Sequence, residues 1–417
     1  MHDVAIVGAG AVGLLLACLL AQRGLDVVVL ERRTGAGERT RAIGIHPPGL
    51  RALDAAGVGA DVRRLGVPIR DGVVTCEGRE LGRLAFDDEH VWSLPQRETE
   101  RLLEARLAEL APAALRRGTA VDGLRTVDGR VEVIVRGVAR IAASPAAAGA
   151  LAGHGRAVSL ESRPRSAGEV PSGDTGTRSR PSSGMEVVRA RYVVGADGVR
   201  STVRGLAGIG WRARRGSAEY IMGDSDDTTD APATALLRFE PAGVVESFPL
   251  PGGRRRWVAW VRRTPAPLTP AALATIVAAR TEASVDLATA TEPSAFAARQ
   301  HLADRFAHGR IALVGDAAHE VSPIGGQGMN LGWLDAVRLD AELARALAEG
   351  APATPFGDYD RARRSAALRA TRQAAFNMTM GAPAAGVRLA ARNRLVRVLA
   401  VWPMRRLLAS AFTMRRL

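Results

Sequence analysis

An α/β architecture is predicted, in which a parallel-sheet domain is interrupted by a β-rich domain and followed by C-terminal helices. Three observations predict it. The stretch "DVAIVGAGAVGLLLACLLAQRGLDVVVLERR" reads as strand, glycine-rich turn, helix and second strand ending at Glu31, a βαβ start. Two later apolar strands, "RARYVVGADG" and "GRIALVGDAAH", run to aspartates at 197 and 316. Between them, residues 207–300 carry the strand-like pieces "ATALLRFE", "VVESFPL" and "RRWVAWVRR", with a helix around Pro270–Arg280.

The other elements follow local signals. "HPPGLRALDAAG" is a short helix entered through prolines and closed by Gly57. "GVVTCEGRELGRLAF" alternates around a turn and predicts a hairpin over Val73–Phe86. "RETERLLEARLAELA" is an amphipathic helix and "GRVEVIVR" a strand. Residues 139–184 contain no Phe, Trp or Tyr and are dense in Ala, Gly, Ser and Pro. Such a segment cannot bury enough apolar area to offset its ordering, so a disordered insertion in a hairpin loop is expected.

Charge and composition exclude several functions. The net charge is +14, but residues 361–417 hold thirteen arginines and no acid, which leaves +1 for the first 360 residues. A near-neutral body without an aromatic–basic platform argues against a nucleic-acid partner. The sequence has no lysine, which removes P-loop phosphate binding and Schiff-base catalysis. Cys18 and Cys76 lie in apolar stretches and read as core thiols, so a reducing, cytoplasmic location is expected. No His/Cys group has metal-ligand spacing, and no metal is expected. The first apolar stretch lacks a basic leader and is broken by three glycines, unlike a signal peptide. No clean apolar run reaches the roughly 18 residues of a spanning helix.

The chemistry concentrates at two distant stretches. "GAGAVG" satisfies G-x-G-x-x-G over Gly8, Gly10, Val12 and Gly13, with a strand before it and a helix after. Gly8 permits the tight turn, Gly10 leaves backbone for a pyrophosphate, and Gly13 allows close helix–strand packing. The helix N-terminus then faces the phosphates. Glu31, eighteen residues after Gly13, stands where a carboxylate accepts ribose hydroxyls. This unit alone suits FAD or NAD, and Arg32 and Arg33 would even suit a 2′-phosphate. The second stretch, "GDAAHEVSPIGGQGMN", makes the choice. Asp316 at a strand's carboxyl end cannot usefully face phosphate but can accept hydrogen bonds from a sugar-alcohol chain. Gly326 and Gly328 then offer backbone N–H groups, and a helix opening at Met329–Asn330 suits the electron-rich edge of a planar ring. Phosphates, a ribityl chain and an isoalloxazine ring together describe FAD.

Four motifs in order, "GAGAVG", "RAIGIHPPGL", "YVVGADGVRSTVR" and "GDAAHEVSPIGGQGMN", resemble the flavin monooxygenases of the para-hydroxybenzoate hydroxylase type. The resemblance covers almost the whole chain. It implies a Rossmann-like FAD-binding domain, with NAD(P)H as transient co-substrate and hydroxylation of an aromatic or lipophilic small molecule through a flavin hydroperoxide. It further implies that Arg41 sits by the flavin and that Gln96 reaches its phosphates or ribityl chain. By the same resemblance Asp197 and Gly198 lie near the pyrophosphate and the passing NAD(P)H, Pro323 beside the reactive ring edge, and Met329 and Asn330 at the pyrimidine side. Each has a plainer reading: a loop arginine for Arg41, a helix cap for Gln96 and an Asp–Gly turn for Asp197. His46 and His319 adjoin turns and read as structural. No catalytic base is assigned, since Tyr220, Arg238 and the tryptophans of the sheet-rich segment show no spacing that favours one. A flavin reductase or dehydrogenase that inserts no oxygen is the alternative. A halogenase is disfavoured by the absence of lysine.

On this reading residues 1–72, 96–206 and 300–360 form the FAD-binding domain, and 73–95 with 207–299 the substrate-binding sheet domain. Residues 361–417 form basic C-terminal helices, divided at Pro403. Longer members of the resembled family carry a thioredoxin-like domain there, and these residues leave no room for one. The helices either pack on the chain's own domains, with arginine stems reaching outward, or make a peripheral membrane contact.

Overall fold

The computed structural model describes residues 1–35, 37, 42–86, 90–138, 185–323, 326–401 and 414. The expected insertion at 139–184 and Arg41 lie outside the described residues.

The opening strand His2–Val7 lies parallel between Val27–Glu31 and Met185–Gly195. Leu115–Arg117 extends the sheet beyond Val27–Glu31, and Ile311–Leu313 extends it beyond Met185–Gly195, both parallel. Val4, Ala5 and Ile6 are buried on both faces, as continuous apolar runs in a parallel sheet require. Three of the eight strands are antiparallel. Ala307–His308 pairs with Ile311–Leu313, and the hairpin Thr119–Val127/Arg130–Gly137 pairs with the first half of Met185–Gly195. The chain leaves the opening strand to one side and returns on the other. That reversal opens a crevice at the carboxyl edge, where such sheets bind ligands.

Helix Ala11–Gln22 packs between Gln96–Leu110 and Gln327–Ala348. The last of these begins at Gln327, two residues before the predicted start at Met329. Gly326 holds a left-handed backbone (φ +67°) as its N-cap, so the turn ends earlier than the polar pattern suggested.

A seven-stranded sheet forms the second layer, in the order Ser294–Ala298, Ala218–Asp226, Arg254–Val261, Val245–Leu250, Thr234–Arg238, Asp71–Cys76 and Arg79–Ala85. Its side chains alternate between two faces. Ile221, Val245, Trp257 and Ala259 pack on Leu273 and Val277 of helix Pro270–Arg280. The opposite face looks toward the crevice. "WVAWV" is thus an internal strand.

Helices Gly357–Gly381 and Gly386–Ala400 close one side. Arg392 is buried, and its guanidinium donates to the carbonyls of Met380, Ala382 and Phe239. Val396 and Met380 pack with Cys76 and Leu81 of the second sheet. Of residues 402–417 only Met414 is described. No described helix is long and apolar enough to cross a membrane. Replacing Arg392 with Ala is expected to lower stability by about 2 kcal/mol, since a charged donor to several buried carbonyls is lost. Limited proteolysis should then cut near the Ala382–Gly386 connection, and an unchanged cleavage pattern would contradict this anchoring role.

Candidate active site

The predicted residues meet because three neighbouring strands end at one edge. Val7 leads into the glycine-rich turn, Gly195 into Asp197 and Gly198, and Leu313 into Asp316. The ladder continues past the strands, with the Gly8 amide donating to Leu30 O (2.8 Å) and the Ala196 amide to Val7 O (2.8 Å). Gly8 has φ +107°, and a Cβ there would lie 2.4 Å from the Ala196 carbonyl oxygen. At Gly13 a Cβ would lie 2.1 Å from Gly8 O. Around Gly10 the nearest atom to an added Cβ is 3.8 Å away, so this backbone is open to an approaching group.

Glu31 is buried at the end of its strand. Its carboxylate accepts from the Ala9 amide (2.8 Å), the Arg33 amide (2.8 Å) and the Arg33 guanidinium (3.0 and 3.2 Å). Burial pushes this carboxyl up, but those hydrogen bonds outweigh it and hold the group below its ordinary range. A ribose would share the carboxylate with Arg33. Arg32 is exposed and does not line the cavity.

Gln96 opens its helix and donates to Glu100 (2.8 Å), whose same oxygen accepts from the Ala11 amide (3.2 Å). Glu100 therefore touches the start of the first helix, a position that sequence reasoning missed. Its spacing of four residues after Gln96 on a helix was the available signal. The Asp197 carboxylate accepts from the Ser201 hydroxyl (2.5 Å) and from the Thr202 (2.6 Å) and Val203 (3.1 Å) amides. It shapes the loop that carries Gly198 into the cavity.

Asp316 sits in a 3₁₀ turn, Gly315–Ala317, just past the strand. That turn is held from behind by Asp335, a fully buried carboxylate absent from the predicted set. It accepts from the Gly315 amide (3.1 Å) and Arg363 Nε (2.6 Å), and meets His319 Nε2 at 2.5 Å. Burial raises this carboxyl, and the His319 and Arg363 charges and hydrogen bonds pull it lower overall. The Asn330 side chain is likewise internal. It accepts from the His46 amide (2.9 Å) and donates to the carbonyls of Gly44 (2.9 Å) and Gly326 (2.8 Å), tying the turn to the strand Gly44–Ile45.

These groups border one cavity of about 640 Å³. Gly10, Val12, Gln96, Gly198 and Asp316 line one end. Pro323, Gly326, Gly328 and Met329 line the middle. The other end is the face of the second sheet, through Met222, Leu237, Phe248 and Val258, with Phe376 and Met380 from the tail helices. Glu246 also faces it, although only 4% exposed. Burial alone pushes its carboxyl up to about 7. Among the described residues no group of three or more His, Cys, Asp or Glu is placed to hold a metal.

A backbone cradle, a carboxylate beyond it and a long cavity fit a dinucleotide with a planar ring. The model of the FAD binding domain family matches residues 1–144 and 151–374. The chain belongs to this family. It is 31% identical over 396 residues to the 12-dehydrotetracycline 5-monooxygenase/anhydrotetracycline 6-monooxygenase of Streptomyces rimosus, covering 89% of this chain and 69% of that one. It is 29% identical to the rifampicin monooxygenase of Rhodococcus hoagii, covering 88% and 69%. Among solved structures, the p-nitrophenol 4-monooxygenase of Pseudomonas putida DLL-E4 shares the fold with a TM-score of 0.80 at 23% identity, over 99% of this chain and 97% of that one. The anhydrotetracycline hydroxylase of S. rimosus gives 0.74 at 26% identity, over 100% and 76%. The protein is an FAD-dependent monooxygenase of the aromatic hydroxylase kind, and its substrate is a small molecule. The reductase alternative is not favoured.

Two outcomes follow from the buried carboxylates. Asp335→Asn leaves Arg363 buried without its counter-charge, which should cost about 3 kcal/mol or more and weaken FAD binding. Thermal melting and flavin titration measure both, and an unperturbed variant would contradict the clamp. For Glu246 the folded chain holds its proton more tightly than the unfolded chain, from a usual 4.5 up to about 7. Stability from the neutral group is therefore complete below 4.5 and lost as pH rises through 7. Glu246→Gln should raise stability by up to about 3 kcal/mol at pH 8 and leave it unchanged at pH 4.5. Equal shifts at both pH values would refute this.

Proposed function

We propose that the flavin lies at the glycine-turn end of the cavity and that a polycyclic or lipophilic aromatic substrate lies against the second sheet. The continuity of one cavity between Asp316 and that sheet carries this reading. It assigns the residues around the ends of strands His2–Val7, Met185–Gly195 and Ile311–Leu313 to the cofactor. Gly8, Gly10, Val12 and Gly13 bring the backbone and the first helix start to the pyrophosphate. Glu31, at the strand's end, faces the adenosine ribose. Gln96 and Asp316 serve the phosphates and the ribityl chain. Asp197 and Gly198 border the path of a visiting NAD(P)H. Pro323 lies beside the reactive ring edge, and the turn from Gly326 and Gly328 through Met329 and Asn330 holds the ring's pyrimidine side.

The bound flavin supplies the redox and oxygen-transfer chemistry, with NAD(P)H as electron source. The chain itself binds, orients and keeps the site dry. The N-terminus of helix Gln327–Ala348 stabilises negative charge at the ring edge that faces it. Met222, Phe248 and Val258 exclude water from the substrate end, and Phe376 and Met380 cover it. We assign residues 1–72, 96–206 and 300–360 to the cofactor and 73–95 with 207–299 to the substrate. The tail helix docked through Arg392 supports a role in closing the cavity rather than in membrane contact. A cytoplasmic location fits the two buried, free cysteines.

Relatives are named for anhydrotetracycline and rifampicin, and a polycyclic phenol suits an apolar cavity of this size. The protein loaded with FAD, given NAD(P)H and a panel of polycyclic phenols under labelled dioxygen, is expected to form a product carrying one labelled oxygen. Product without label would favour the reductase. In the same assay Asp316→Ala should weaken FAD affinity by about tenfold or more, the effect of leaving one cofactor hydroxyl pair unpartnered.

A further inference from the structure

The cavity face of the second sheet is built from cross-strand rows. One runs Met222, Val258, Glu246, Leu237, Val74 and Gly82 across six strands. Glu246 is the single charged member of that row. The next row pairs Arg256 with Asp224 on one side and with Phe248 on the other.

The charges on this face are treated differently. Arg256 forms a two-pronged contact with Asp224 (2.7 and 2.8 Å), so its charge is offset within the sheet. At the cofactor end Glu320 meets His301 at 2.7 Å. Arg238 points to the opposite face, over the Trp257 ring, and Arg392 of the tail is held by backbone carbonyls. Arg299 stands exposed at the rim. Tyr220, on the same face, has a buried hydroxyl without a hydrogen-bond partner among the described residues. Glu246 alone combines burial, cavity exposure and no hydrogen bond or ion pair to its carboxylate among the described residues.

A lone buried carboxylate is costly, and it is relieved by a proton or by a donor from a ligand. We propose that Glu246 is the specificity determinant of the substrate end. Its carboxylate accepts the hydrogen bond of a neutral phenolic hydroxyl and turns away aromatic acids. Rejection follows from like charge in a desolvated site, where Arg256 is already paired and offers no compensation. The elevated affinity of Glu246 for a proton fits the same environment. This inference rests on the placement of substrate against the second sheet.

The test uses two probes that share a ring system, 1,5-dihydroxynaphthalene and 5-hydroxy-1-naphthoic acid. Each is titrated into the FAD-loaded protein at pH 8 and followed by perturbation of the flavin spectrum. The wild-type protein is expected to bind the diol about tenfold or more tightly than the acid. Glu246→Gln, which keeps shape and removes charge, should bring the two within about threefold, mainly by admitting the acid. Glu246→Asp should keep the preference, and Glu246→Leu should lose affinity for the diol. Equal binding of both probes by the wild type, or a ratio unchanged in Glu246→Gln, overturns the proposal. Absence of binding by the diol overturns it as well. Flavin retention separates the two levels of the reading. Wild-type protein that fails to hold FAD strikes the cofactor assignment, whereas an unchanged ratio with FAD retained strikes only Glu246.

Discussion

The close approach of two helix starts governs the cofactor edge. Val12, in the first turn of one helix, packs against Gly315 and Gly332, where a Cβ would lie 3.2 and 2.6 Å from its side chain. Trp333 Nε1 donates to Ala11 O (3.1 Å) and closes the contact. Neither helix can slide without forcing a side chain into backbone. Two N-terminal dipoles therefore open on one cavity, an arrangement that favours phosphate at one end and an electron-rich ring at the other. Asp335 makes this possible from behind. It sits on the second helix and fixes the turn that holds Asp316, with His319 and Arg363 balancing its charge.

The second sheet obeys different rules. Apolar rows make the wall, so each polar group on it matters more than it would in water. Arg256 and Asp224 neutralise one another. Among the described residues Glu246 has no such neighbour, and the environment itself sets its preferred proton state. The same sheet buries its other face under a helix through Trp257 and Leu273. The wall is thus a rigid layer rather than a loop surface.

The basic tail changes meaning once packed. Arg363 and Arg392 belong to the thirteen arginines after residue 360, yet both are buried. One balances Asp335 and the other caps carbonyls of the tail and second sheet. Part of what reads as surface charge in composition is internal bonding. Tail helices, second sheet and cofactor edge are consequently joined around a single cavity.

Much of the cofactor edge was legible because its requirements are local. The Gly8–Gly13 spacing, the carboxylate at Glu31 and the strand before Asp316 each report a backbone geometry that a short stretch determines. Helix Gln96–Leu110 and the hairpin after Asp71 were legible from periodicity for the same reason. Glu246 was not, because in "VVESFPL" a glutamate between apolar residues looks like the solvent side of a strand. Glu100 and Asp335 were hidden in helices whose partners lie far along the chain. The sequence by itself determined the turns, the strand ends and the class of cofactor, since these depend on neighbours a few residues apart. Only the tertiary structure decided which carboxylates are paired, which is left facing the cavity, and which arginines are interior, because pairing and desolvation are set by contacts between segments hundreds of residues apart.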